Sequence, residues 1–210
     1  MSGMRFKIAP SVVEISHWLL KNIVNEGDIV IDATAGNGHD TLFLAKLVGD
    51  TGKVWAFDIQ QPAILQTQRL LDQKGLGHRV NIMHMGHQFI EHFINGSVKA
   101  VIFNLGYLPG GQKEIITLPE TTIKAFGQSL NLLCPGGIVC LSVYWTHSGG
   151  LAERNAVEEF AASLSGKLWD VTKISFPNKN SAPFVLAVQK RLEEINTHES
   201  KKTKENSRNY

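Results

Sequence analysis

Asp32-Ala33-Thr34-Ala35-Gly36-Asn37-Gly38-His39-Asp40-Thr41 is the stretch on which the reading of this chain turns. The apolar run before it, Ile29-Val30-Ile31, reads as a buried strand, and Leu42 to Leu47 after it reads as a helix. A strand that breaks into a Gly-x-Gly loop and re-enters a helix forms the ligand-binding corner of a doubly wound α/β domain. Gly36 and Gly38 suit that corner because a side chain would hold a ligand away from the backbone. The amides at the helix start then face the ligand.

The residues around the loop narrow the ligand. A dinucleotide site carries a third glycine where this chain has Thr41, so the dinucleotide pattern is incomplete. Asp32 stands at the end of the strand, four residues before Gly36. A carboxylate there repels a pyrophosphate and attracts an ammonium or sulfonium group. S-adenosylmethionine (SAM) carries both cations and no phosphate, so the charge favours SAM over NAD and disfavours an NAD-binding oxidoreductase. A second acid, Asp58, ends the next strand (Val54-Trp55-Ala56-Phe57) about 20 residues past the glycines, where a carboxylate holds ribose hydroxyls. Asp32, Gly36, Asn37, Gly38, Asp58 and the nearby Gln60 are the cofactor-binding candidates on this side of the chain.

Outward from this corner the chain alternates strands and helices. Ser11-Val12-Val13-Glu14 has capping-box spacing, and Ile15, Trp18, Leu19 and Ile23 recur at helical intervals, predicting a helix from about 12 to 25. His17 lies on that helix and reads as a residue packing at the sheet edge. Gln61-Pro62 opens a helix to about Lys74. Val80 to His84 is a third strand, and Met85-Gly86-His87-Gln88 after it borders the adenine side of the crevice, which makes His87 a further cofactor candidate. Val98 to Phe103 is strand four, Thr121 or Thr122 caps a helix, Ile138 to Val143 is strand five, and Gly149-Gly150 opens a helix to about Leu164. Two last strands, near 169–175 and 184–189, complete an antiparallel end. The expected fold is therefore a doubly wound, seven-stranded, mostly parallel α/β sheet of Rossmann-like type, with function at the strand C-terminal ends.

Asn104-Leu105-Gly106-Tyr107-Leu108-Pro109-Gly110-Gly111 is the second chemically loaded stretch. An amine nucleophile must aim its lone pair at the methyl carbon, and an amide oxygen with backbone carbonyls can accept its N–H bonds to hold that direction. Asn104-x-x-Tyr107 resembles the Asn-Pro-Pro-Tyr motif of amino-methylating nucleic-acid methyltransferases, with Leu105-Gly106 in place of the prolines. Asn104 also borders the cofactor. A non-catalytic nucleotide-binding module would leave this motif unexplained. An aliphatic amine also has to lose a proton, and His147 in Tyr144-Trp145-Thr146-His147 is a candidate acceptor. Asn104, Tyr107 and His147 are thus the catalytic candidates. Gly106, Pro109, Gly110, Tyr144 and, on a late loop, Asn178 are the substrate-side candidates. His84 and His87 lack a cysteine or carboxylate cluster to complete a tetrahedral site, so no metal is expected.

Composition fits one domain over residues 1–190 and a charged tail over 191–210, expected to be disordered. Hydrophobic content is 43% and the net charge is +2, but six Lys/Arg and four Asp/Glu fall in residues 190–210, leaving a neutral body. No general basic field points to nucleic acid, so an RNA site would have to be a local Lys/Arg patch beside the Asn104 crevice. Cys134 and Cys140 sit in apolar contexts and read as free thiols. No apolar run reaches the length of a membrane span, and the expected compartment is the cytoplasm.

Taken together, Asp32 to Thr41, Phe57-Asp58-Ile59-Gln60 and Asn104 to Gly111 resemble the bacterial SAM-dependent family labelled as rRNA methylases. Its members are understood as tRNA methyltransferases acting on 5-aminomethyl-2-thiouridine at the wobble position. The likeness covers about residues 8–190. It implies a class I SAM methyltransferase fold, SAM as cofactor, methylation of the aminomethyl nitrogen in the tRNA anticodon region, and a homodimer. The chain departs from the family pattern at Gln112, where an acid is usual, and at Thr146, where a glycine is usual. From the residues alone, rRNA or a small amine stays open as the acceptor.

Overall fold

The computed structural model describes residues 11–108, 110 and 115–192. In chain order the elements are α1 (Val12–Lys21), β1 (Ile29–Asp32), α2 (His39–Leu47), β2 (Lys53–Asp58), α3 (Gln61–Gln73), β3 (Val80–His84), β4 (Val98–Leu105), α4 (Pro119–Leu132), β5 (Leu133–Val143), α5 (Gly150–Ala162), β6 (Trp169–Ile174) and β7 (Phe184–Lys190). Short 3-10 turns at Gly77–Arg79 and His87–His92 flank β3. The expected tail falls outside the described residues from position 193 onward.

The strands form one sheet in the order β3-β2-β1-β4-β5-β7-β6. β1 pairs in parallel with both β2 and β4, so the chain reverses its winding at β1 and opens a crevice there. β7 runs antiparallel between β5 and β6. The central strands are buried on both faces, as parallel strands under helices must be. Ile31, Val101, Phe103 and Leu141 face the core shared with α4 and α5. Their neighbours Val30, Ala100, Ile102 and Cys140 face the core shared with α1, α2 and α3. Each large apolar side chain so buried stabilises the fold by about 1.5–3 kcal/mol. Burial pushes the Cys140 thiol up to about 12, which leaves it an inert core group.

Element boundaries moved where local chemistry outweighed periodicity. The Ser11–Glu14 capping box forms in both directions, but α1 ends at Lys21, where Asn22 takes up the Trp18 carbonyl through its side chain. α4 starts at Pro119, whose fixed φ and missing N–H suit a first helical position. The two expected caps, Thr121 and Thr122, are instead inside the helix, and the Thr122 hydroxyl is donated to Glu153 at 2.6 Å. β5 runs back to Leu133 through Pro135-Gly136-Gly137, and β4 shifts register between Val98 and Ala100 to match it. Among the described residues, no helix is long and apolar enough to cross a membrane.

Candidate active site

The C-terminal ends of β1, β2 and β4 and the turn after β3 surround a cavity of about 310 Å³, within the range of small-molecule sites. Its walls include Gly36, Asp58, Gln60, His87, Asn104, Gly106 and Tyr107, so seven candidates from four separate stretches meet in one space. Apolar side chains from Phe57, Ile59 and Met85 line the β2–β3 side.

Asp58 shows how the corner is built. Its Oδ2 accepts the Gly36 N–H at 2.9 Å and its Oδ1 accepts the Gln60 N–H at 2.8 Å. One carboxylate thereby ties the glycine loop to the start of α3. Burial holds its pKa above the usual carboxylate value, and the backbone donors oppose that shift. The loop is held from the other side by Thr67 of α3, which donates to the Gly36 carbonyl at 3.1 Å.

Asp32 lies beneath the loop and is fully buried, with no surface on the cavity. Its Oδ2 accepts the Thr41 hydroxyl at 2.6 Å and its Oδ1 accepts the Thr34 N–H at 3.2 Å. Thr41, the residue in place of a third glycine, is therefore the partner of that acid. Burial, and next the charge of Asp40, push the Asp32 carboxyl up to about 7. Between the ordinary value and about 7 the folded chain holds a proton that the unfolded chain has released. Stability therefore falls as pH rises through that window. Asp32→Asn keeps the shape without the charge: its Oδ1 can still accept the Thr34 N–H, and its Nδ2 would donate to the Thr41 Oγ1, reversing that bond. The variant should melt roughly 5–10 °C above the parent at pH 8, from about 2–4 kcal/mol, and the gap should shrink to less than half at pH 5 and close only below about pH 4. Calorimetry across pH checks this; a gap that ignores pH would mean the carboxyl is ionised without penalty.

His87 is neutral. Burial drives its pKa down to about 4, the Nδ1–H donates to the Ala33 carbonyl at 3.2 Å, and Nε2 is buried without a partner. His84 turns its Nε2 to a different carbonyl, that of Ile59. Among the described residues no cluster of three or more His, Cys, Asp or Glu is placed to hold a metal ion.

On the acceptor side, Asn104 ends β4 with its backbone N–H on the Thr34 hydroxyl at 2.7 Å. Its Nδ2 donates to Asp40, and its Oδ1 is buried without a partner. Gly106 has φ +143, a conformation that disfavours any side chain, although a Cβ there would meet Tyr144 and His147 at an ordinary contact distance of 3.5 Å. The Gly106 N–H donates to the Thr117 hydroxyl, which donates to the buried Glu153. Tyr107 bridges Ile116 as a short antiparallel pair. These contacts bring Ile115 to Leu118, unmarked in sequence, onto the cavity wall. His147 meets Tyr107 edge-on at 6.0 Å, donates Nδ1–H to the Ser148 carbonyl at 2.9 Å and leaves Nε2 unpartnered.

His147, Asn37 and Gly38 join Asp32 off the cavity wall, and Tyr144, Asn178 and Gly110 also stand back from it. Tyr144 lies behind Gly106, with its hydroxyl pKa raised by burial and by Asp40. The loop holding Asn178 is at the same edge of the sheet but beyond β5, where Phe176 packs on Val12, Ile15 and Val185. Gly110 follows the wall residue Leu108 with φ +81. Pro109 and Gln112 lie outside the described residues. Among the described residues of the cavity wall, Asp58 is the one formally charged group. Two residues now join the site that the sequence reading had not credited, Asp40 and His17.

A β3-β2-β1-β4-β5-β7-β6 sheet with one reversed strand, a glycine corner and an acid at the end of β2 defines a class I SAM-dependent methyltransferase. The orphaned His87 Nε2 and the clamped Asp58 carboxylate suit an adenosine with its amino group and ribose hydroxyls. The chain belongs to the family described as "Putative rRNA methylase", which matches residues 54–190. A chloroplastic tRNA (mnm5s2U34)-methyltransferase from Arabidopsis thaliana is 40% identical over 189 residues, covering 85% of this chain and 69% of the relative. The crystal structure of a "putative rRNA-methylase" from Clostridium thermocellum superposes with a TM-score of 0.86 at 42% identity, over 88% of this chain and all of that one. A Streptococcus mutans "putative methyltransferase", solved in complex with SAH, gives 0.80 at 36% identity, over 87% of this chain and 99% of that one.

Proposed function

We propose that this methyltransferase acts on the aminomethyl nitrogen of 5-aminomethyl-2-thiouridine at the wobble position of tRNA. The observation that carries the reading is Asn104, whose Oδ1 is buried and unpartnered on a residue of the cavity wall next to Tyr107. The name of the Arabidopsis relative supports the same acceptor.

SAM supplies an activated methyl group, so the protein's task is mainly alignment. Asp58, through its hold on Gly36 and Gln60, would shape the ribose side; Asn37 and Gly38 complete the loop, and His87 Nε2 would accept from the adenine amino group. Asp32 acts from below by fixing Thr34 and Thr41. Asn104 accepts an N–H of the incoming amine through Oδ1 and so directs the lone pair. Tyr107, which is 43% exposed, offers a face on which the uracil ring can stack. An ammonium must release one proton before it can attack. His147 Nε2 is the acceptor, because the Ser148 carbonyl keeps the ring's proton on Nδ1.

A second reading, methylation of rRNA or of a small amine, draws on the absence of Lys and Arg from the described cavity wall. One experiment separates the two. Purified protein and SAM are given tRNA from cells lacking the gene, and nucleosides are resolved by mass spectrometry. The expected result is loss of 5-aminomethyl-2-thiouridine and gain of one methyl on it. Unchanged tRNA would overturn the tRNA reading and leave rRNA and small amines. The homodimer and the cytoplasmic location rest on family resemblance and general character; sedimentation of the full chain tests the first.

A further inference from the structure

His17, Asp40 and Asn104 form a hydrogen-bonded chain that runs from α1, on the outside of the sheet, to the cavity wall. The His17 ring stacks on Phe43 of α2 with centroids 3.7 Å apart and planes 4° from parallel, which fixes the imidazole. Its Nε2 donates to Asp40 Oδ1 at 2.6 Å. Asp40, in the first turn of α2 and 7% exposed, accepts the Asn104 Nδ2 through its other oxygen.

The chemistry of these groups allows one arrangement. A carboxylate offers acceptors only, so the Asn104 amide must turn its nitrogen toward Asp40 and its oxygen away. That oxygen is the buried atom without a partner. Without Asp40 the amide could rotate by 180° and present a donor in place of an acceptor. A donor facing the amine would oppose the N–H that has to be held.

We propose that Asp40 is a positioning residue for methyl transfer. It sets the orientation of the Asn104 amide and is itself held by His17. The proposal rests on the reading of Asn104 as the amine-directing acceptor. It also gives the histidine of α1 a part in a reaction whose cavity it does not line.

Single-turnover transfer of labelled methyl from SAM to unmethylated tRNA, with SAM affinity by calorimetry, tests this in the full chain. Asp40→Asn should slow transfer about tenfold to thirtyfold, with SAM affinity within about threefold of the parent and KM for tRNA changed little. His17→Ala should slow it about fivefold, and His17→Gln, which restores an N–H donor, should recover most of the rate. In an Asn104→Ala background, Asp40→Asn should have no further effect, because its target is gone. Additive losses in that double variant, a parent-like rate for Asp40→Asn, or a rate loss matched by weakened SAM binding would each overturn the proposal. If the parent protein fails on this tRNA, the acceptor reading falls and takes the relay with it. If the parent is active and Asp40→Asn is unaffected, the relay alone is wrong.

Discussion

Asn104→Ala is expected to lower single-turnover methyl transfer about a hundredfold while SAM affinity stays within about fivefold. The magnitude is that of a reaction governed by alignment, in which a misplaced or freely turning nucleophile loses about two orders of magnitude. The substitution leaves the backbone bond from Asn104 to the Thr34 hydroxyl in place, so the end of β4 should not move. It does leave Asp40 without the donor that faces its Oδ2, which should cost about 1–3 kcal/mol of stability. Asn104→Asp is the informative companion. It keeps the volume and the acceptor but sets a second carboxylate against Asp40, and it should be at least as slow as the alanine variant. A near-normal rate in Asn104→Ala would remove the observation on which the acceptor reading stands.

Much of this site could be read from local order along the chain. Asp32, Gly36 and Asp58 announce themselves because each marks the end of a strand or the turn after it, and the parallel sheet brings such ends to one edge. Asn104 was legible for the same reason. His17 and Asp40 were not. Asp40 belongs to the quoted glycine stretch, yet its partners lie 23 residues earlier and 64 residues later. Only the packing of α1 and α2 on the same face of the sheet brings them together, and no spacing rule encodes that. Glu153 was hidden in another way: a buried acid on α5 looks like any polar helix residue until Thr117 and Thr122 reach it from the segment after Tyr107. The role foreseen for Asp32 also changed in kind. Charge alone suggested direct attraction of a cation, whereas full burial makes the acid a brace whose bonds to Thr34 and Thr41 hold the loop.

Gly38→Ala should disrupt both the fold and cofactor binding, and Gly75→Ala supplies the control. Both glycines have left-handed backbones, with φ of +81 at Gly38 and +68 at Gly75. An alanine at either position therefore bears about 1–2 kcal/mol of conformational strain. At Gly75 a Cβ meets nothing within 4 Å, so strain is all it adds. At Gly38 it would lie 2.9 Å from both Cα and Oγ1 of Thr67 and 3.1 Å from its Cβ. Thr67 cannot rotate its Cα away, so α3 must shift, adding about 1–3 kcal/mol of overpacking. Gly38→Ala should then lower the melting temperature by roughly 5–15 °C and Gly75→Ala by roughly 2–6 °C. The functional difference should be larger. A displaced α3 pulls Thr67 from the Gly36 carbonyl and disturbs the Asp58 clamp that spans Gly36 and Gln60. SAM affinity should fall at least about thirtyfold in Gly38→Ala, from about 2 kcal/mol of lost loop order, and stay near the parent value in Gly75→Ala. Calorimetry on both variants decides it: equal affinities would mean that the loop binds its cofactor without the close packing of α2 on α3.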